Sequence, residues 1–297
     1  MRQPRTGPAR VYNRAMTAPA CLPEPHAMQA ALRDALPGFG DIAWLPVTGS
    51  TNADLLARAR SADAPALPWL LGAHLQQAGR GRAGRSWQNA PGDALMMSCA
   101  FALRVPASRL SGLSPAAGIA ACEALRQLAG AAAAPRLAMK WPNDVQFDGA
   151  KLAGVLVETV RSAQGGDAFV AVIGMGVNLR GAADLSRRLG RAVADWSQVT
   201  ATLPAGEHPP LAAVAAACAA AWYTAVQAYE REGFSAFAGR FDRVDALAGR
   251  TVDVIDDGRI VLSGPACGVD PHGRLLVADG TQHRPISVGE ISIRAQA

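Results

Sequence analysis

The strongest chemical character in the chain lies in one short stretch. Gly79-Arg80-Gly81-Arg82-Ala83-Gly84-Arg85-Ser86-Trp87 sets three arginines among glycines and closes on a tryptophan. Three guanidinium groups that close repel one another, and glycine leaves the backbone free to open. Such a loop is expected to be mobile when empty. Phosphates or a carboxylate would relieve the repulsion and draw it shut, and Trp87 could then lie against a flat purine ring. The stretch also spells G-x-G-x-x-G after an apolar strand. A dinucleotide-binding loop must open directly into a helix, however, and here the chain runs into Ser86-Trp87-Gln88-Asn89-Ala90-Pro91-Gly92, which is turn chemistry. That reading is excluded. The plainer alternative, a solvated basic loop, gives alternating Gly and Arg no packing purpose.

Three further segments carry polar groups at turns. Lys140-Trp141-Pro142-Asn143-Asp144 and Lys151-Leu152-Ala153-Gly154 lie on either side of Asp148-Gly149, so two lysines and a carboxylate flank one β-turn. Gly174-Met175-Gly176-Val177-Asn178-Leu179 ends an apolar run; the Asn178 amide could read an adenine edge or cap a turn. Ser50-Thr51-Asn52 precedes a helical pattern, where Ser50 or Thr51 is a natural N-cap.

The elements that must position these groups follow from periodicity. Strands are expected over 42–47, 69–75, 93–102 and 168–179, with a hairpin from 137–141, 145–147 and 151–160. Helices are expected over 27–36, 53–60, 115–130, 183–189, 210–230 and 234–242. After about Leu247 short strands over 251–255, 259–262, 268–270, 274–277 and 284–293 alternate with Asp257-Gly258, His272-Gly273 and Asp279-Gly280, which predicts a small barrel. The fold class is α+β: a mixed sheet with helices, then the barrel. The expected division is a flexible Pro- and Arg-rich tail over 1–40, a catalytic domain over 41–246 and the barrel over 247–297. Met1, Met16 and Met28 are alternative starts.

Bulk properties narrow the classes. A chain of 297 residues with 18% charged residues is globular rather than disordered. Its net charge of +5 suits an enzyme with phosphate ligands as well as it suits DNA. Cys21, Cys99, Cys122, Cys218 and Cys267 form no C-x-x-C pair, and the histidines show no metal-binding spacing, so no metal site built from protein alone is expected. The first twenty residues lack the apolar core of a signal peptide. The apolar run 211–229 is mostly alanine and reads as a buried helix rather than a membrane span.

Taken together, Ser50-Thr51-Asn52, the Gly-Arg loop, K-W-P-N-D, K-L-A-G and G-x-G-x-N occur in the order and spacing of the biotin–protein ligase family, which the chain resembles from about 42 to 297. Gly289-Glu290-Ile291-Ser292-Ile293-Arg294 also resembles the last strand of that family's C-terminal barrel, which is SH3-like; the catalytic fold is of the class II synthetase type. The resemblance implies a ligase that adenylates biotin with ATP and magnesium and transfers it to a lysine of a biotin carboxyl carrier protein. It implies that Ser50, Thr51, Asn52 and Gln76 bind biotin, with Arg80, Gly81, Arg82, Lys151 and Gly154. It also implies that Arg82, Arg85, Trp87, Lys140, Asn143 and Asn178 bind the nucleotide, and that Lys151, Arg80 and Arg82 are catalytic. Lipoate–protein ligase is the nearest alternative. A biotin-responsive repressor is disfavoured because about forty residues before Ile42 are too few for a winged helix, and no sequence-specific nucleic acid is expected; a barrel-based adaptor would leave the clustered cations without purpose. The expected compartment is the cytoplasm, with no membrane partner. A homodimer is left open.

Overall fold

The computed structural model describes residues 22–61, 64–87, 90–162, 167–204, 206–289 and 292–296. Residues expected in the far N-terminal tail (1–21), at Gln88-Asn89 and at Glu290-Ile291 lie outside these. The long apolar runs become the centre of a seven-stranded sheet, ordered β1-β2-β3-β7-β6-β5-β4. Its strands are β1 (Asp41–Thr48), β2 (Trp69–Gln76), β3 (Ala94–Arg104), β4 (Leu137–Lys140), β5 (Asp144–Phe147), β6 (Ala150–Arg161) and β7 (Ala168–Asn178). β1 and β2 are parallel, joined through helix α2 (Thr51–Arg58), and the remaining neighbours are antiparallel. β3 and β7 pair without a break from Ala94↔Asn178 to Arg104↔Ala168. Both are almost wholly buried, which is why they read as continuous rather than alternating apolar sequence.

Helices cover both faces. On one, α2 sets Leu55 and Leu56 against Ala100 and Val172. On the other, α3 (Leu113–Leu128) and the long helix Leu211–Glu232 pack together, and Trp222 Nε1 donates to Ala117 O at 3.0 Å. That long helix is apolar enough to pass for a membrane span. Its alanines allow close approach to α3, and Trp222 and Tyr229 are buried, so it is a core helix. Helix α1 (Pro25–Ala35) docks on the same face and buries Met28 and Leu32 completely. The residues from Leu22 onward are therefore part of the globule, not of the flexible tail expected to 40; the apolar pair at i, i+4 gives α1 its own contribution to the core.

The C-terminal strands are β8 (Thr251–Asp256), β9 (Arg259–Val269), β10 (Leu275–Asp279), β11 (Gln282–Ile286) and β12 (Ser292–Ala295), ordered β11-β10-β9-β8-β12. The outer strands β11 and β12 do not pair among the described residues, so the expected barrel is an open five-stranded antiparallel sheet. β9 is one long strand where two short ones were expected. Gly264 and Pro265 break its apolar pattern, but a Cβ at Gly264 would lie 1.9 Å from Ala278 O, so glycine is what lets β10 approach there. Val252, Val254, Leu275 and Val277 join the same hydrophobic cluster as the large sheet, and Trp141 Nε1 donates to Gly273 O at 2.9 Å. The small sheet thereby shares a core with the large one along the β4–β5 end. The parallel bridge Met139↔Asp245 marks the seam.

Candidate functional site

The N-terminus of α2 points into the large sheet. Ser50 caps it, accepting from Ala53 N, and the two residues that follow begin a buried polar network. Gln76 Oε1, at the end of β2, accepts from Thr51 N at 2.7 Å. Thr51 Oγ1 lies 2.6 Å from Ser98 Oγ, which donates to Asn52 Oδ1 at 2.6 Å. Asn52 Nδ2 in turn donates to Glu158 Oε2 at 2.9 Å. Ser98 is fully buried and Thr51 and Asn52 nearly so; burial of such groups is tolerated because each has a partner. The sheet makes room with Gly174, where a Cβ would stand 2.0 Å from Asn52 Oδ1. The result is a floor of fixed, neutral polar groups beside Met97, Val155 and Met175.

The Gly-Arg loop folds over this floor as a tight excursion, closed by Gly81 N→Arg85 O and Trp87 N→Gly79 O. Each arginine has a separate anchor. Arg80 Nη2 bonds Glu158 Oε2 at 3.2 Å. Arg82 donates to Asn143 Oδ1 at 3.2 Å and to Gly289 O at 2.5 Å. Arg85 Nη2 donates to Ser292 Oγ at 2.8 Å. Burial lowers the pKa of Arg82, with Asp144 opposing and Arg85 assisting. The Trp87 indole lies against Gly176 and Gly154, where added Cβ atoms would come within 2.4 and 3.2 Å. Its buried Nε1 has no hydrogen-bond partner among the described residues.

The hairpin supplies the remaining charge. Lys151 Nζ pairs with Asp144 Oδ1 at 2.7 Å and stands 5.5 Å from the Trp87 ring. Asn143 donates to Val155 O at 2.6 Å, which turns its Oδ1 toward Arg82. Burial lowers the pKa of Lys140; Asp144 opposes the shift, while Lys151, Arg191 and Arg250 add to it. A cavity of about 190 Å³ lies between floor, loop and hairpin. It carries far more cationic than anionic groups and suits an anionic ligand.

Every site residue expected from the sequence lines this one cavity except Asn178. The Asn178 amide is buried and donates to Lys151 O at 3.2 Å and Ala194 O at 3.1 Å. It braces the lysine strand: its amide donors are held by backbone carbonyls of two other segments, neither capping its own turn nor lining the cavity. Sequence reasoning missed Ser98, Glu158 and Arg191. Ser98 had a signal: it is the one hydroxyl inside the apolar run of β3, and a polar group there must find a buried partner. Among the described residues no group of three His, Cys, Asp or Glu side chains could hold a metal. Asp144 is the carboxylate lining the cavity, enough to assist a magnesium ion carried mainly by phosphates.

Residues 44–178 match the biotin/lipoate A/B protein ligase family, and residues 248–294 match the biotin protein ligase C-terminal domain. The bifunctional ligase/repressor BirA of Escherichia coli (strain K12) is 34% identical over 259 residues, which cover 86% of this chain and 75% of that protein. The chain belongs to the biotin protein ligase family. Another family member, the biotin–[acetyl-CoA-carboxylase] ligase of Paracoccus denitrificans, is 42% identical over 139 residues, 46% of this chain and 54% of that one. The biotin protein ligase of Aquifex aeolicus, solved in complex with biotin and ATP, has a TM-score of 0.68 at 24% identity and covers 87% of this chain and 100% of its own. The family fold therefore extends through both sheets described above.

Proposed function

We infer that this protein activates biotin with ATP and transfers it to a lysine of a biotin carboxyl carrier protein. One observation carries the reading. The arginines of the loop and the lysines of the hairpin line the same cavity as a neutral, buried hydrogen-bonding floor. Biotin has matching ends: an uncharged bicycle for the floor and a carboxylate for the cations.

In the first step a biotin carboxylate oxygen attacks the α-phosphorus of ATP, and pyrophosphate leaves. Two anions must meet, which is unfavourable unless both are neutralised. Lys151 exchanges Asp144 for the carboxylate and α-phosphate, Arg80 and Arg82 close from above, and Lys140, Asn143 and Arg85 face the nucleotide. Asp144 would assist a magnesium ion carried on the ATP phosphates, which would add to the neutralisation. Trp87 supplies a flat surface for adenine. In the second step the amine of the carrier lysine, having lost its proton, attacks the acyl carbon of biotinyl-5′-AMP. The amide forms as AMP leaves. The enzyme's part is to exclude water and align the amine.

The test is ATP–pyrophosphate exchange, which is expected to require both biotin and magnesium. Exchange supported by lipoate and not by biotin would replace this reading with the lipoate branch of the family. The +5 charge serves phosphate ligands, not an operator; a sequence-specific gel shift at physiological salt would overturn that. The reaction belongs in the cytoplasm, where ATP and carrier are both present.

A further inference from the structure

Glu158 has no part in the chemistry above, yet it touches both halves of the site. It lies on β6 opposite Val172, with about a quarter of its side chain exposed. A single oxygen, Oε2, accepts from Arg80 Nη2 of the loop at 3.2 Å and from Asn52 Nδ2 of the floor at 2.9 Å. The Asn52 amide faces one way here: its Oδ1 accepts from the Ser98 hydroxyl, Ser98 accepts from Thr51 Oγ1, and Thr51 is tied to Gln76 through its backbone N–H. Reversing it would set Nδ2 against Gly174 and bring Oδ1 toward the carboxylate. An amide fixed in that orientation holds the carboxylate in place, and the carboxylate holds Arg80. Only one of the five guanidinium N–H donors of Arg80 is needed for this contact, and Arg80 still lines the cavity.

We propose that Glu158 is a positioning residue, a catch that ties closure of the Gly-Arg loop to the hydrogen-bond network that receives the neutral end of the ligand. The loop's other anchors, on Asn143, Gly289 and Ser292, do not reach that network. Among the described residues, Glu158 is the side chain that bonds both a loop arginine and Asn52, so through it loop position depends on whether Asn52 is properly seated. It sets how long an activated intermediate is retained, not whether it forms. This rests on the ligase reading for its ligand, but not for the mechanical link.

Two variants separate the links. In Glu158→Gln the amide oxygen still accepts from Asn52, but the charge that holds Arg80 is gone. In Glu158→Ala both contacts go. The loop's arginines make it a trypsin substrate, so its opening can be read in the ligand-free protein from cleavage at Arg80, Arg82 and Arg85. For Glu158→Gln we expect cleavage there to be about two- to fivefold faster, the range for one partly exposed ion pair, with cleavage elsewhere unchanged. Biotinyl-5′-AMP should escape faster by a similar factor while the KM for biotin stays put. Glu158→Ala should in addition raise that KM. The proposal is overturned by unchanged loop cleavage or unchanged intermediate escape in Glu158→Gln, by cleavage raised equally throughout the chain, or by a biotin KM raised as much in Glu158→Gln as in Glu158→Ala. Absence of biotin-dependent exchange in the parent protein would sink the ligase reading and leave the tryptic comparison standing.

Discussion

The two halves of the cavity are built by opposite means. The floor comes from regular elements: the first turn of α2, the end of β2 and the middle of β3, joined by short hydrogen bonds among nearly dry side chains. The roof is a glycine-hinged excursion whose arginines are partly exposed and each fastened to a different part of the molecule. A neutral ligand end is bound best by groups already in place, since reorganising a buried network leaves polar atoms unsatisfied. Charged groups that must appear during a reaction are better carried on a segment that moves, because exposed ion pairs cost little to exchange. The floor is fixed by buried hydrogen bonds, and the roof by contacts that are exposed enough to be exchanged.

Variants on the two sides should therefore fail differently. The largest effect is expected for Lys151→Ala, which removes the hairpin cation proposed to meet both anions and should lower the exchange rate by about 10²–10³-fold; a loss under about tenfold would mean the roof works without the hairpin. Next comes Arg82→Ala. It should speed escape of biotinyl-5′-AMP by on the order of tenfold, the scale of one charged hydrogen bond, while the thermal midpoint moves by no more than about 2 °C. An intermediate held as long as in the parent would show that Arg82 does not retain it. Ser98→Ala leaves the buried Asn52 acceptor without its donor, while the Thr51 hydroxyl can still turn to Gln76 Oε1. It should raise the KM for biotin about five- to tenfold with the KM for ATP unchanged, and equal effects on both would erase the division between floor and roof.

The smallest effect lies at the seam between the sheets. Burial raises the Asp245 carboxyl from 3.8 to about 6, against the hydrogen bond from Leu247 N and with Asp242 adding to the shift. The folded state thus binds this proton more tightly than the unfolded one, so stability from this group falls as pH rises from about 4 to about 6 and stays lower above that. Asp245→Asn should remove the slope and add on the order of 1–3 kcal/mol at pH 7 relative to pH 4, the upper figure being the full rise from 3.8 to about 6. Denaturant melts at the two pH values measure it, and an equal change at both would refute the assignment.

Local patterns made most of the roof legible, because Gly, Arg, Lys and Trp at short spacing announce charge and freedom within a dozen residues. β3 and β7 were legible for the same reason, as unbroken apolar runs. What the patterns could not show was closure over distance. Ser98 meets Asn52 across 46 residues and Arg80 meets Glu158 across 78, so neither partner is marked by its neighbours in sequence. Asn178 looked like a ligand group because its glycine-rich setting resembles a turn at a site; its donors are instead held by carbonyls on two other segments. β9 was split in two because glycine and proline interrupt a strand's pattern even where tertiary pairing carries the strand through.

The contacts of Arg82 with Gly289 and of Arg85 with Ser292 each span 207 residues. During synthesis the residues of the floor leave the ribosome well before those partners do, and pairings so distant are also slow to form. The nascent protein would meet its vitamin before it could guard a reactive anhydride. Trimming a few residues from the far end should leave a molecule that still recognises its substrate but leaks its activated product to whatever amine is near.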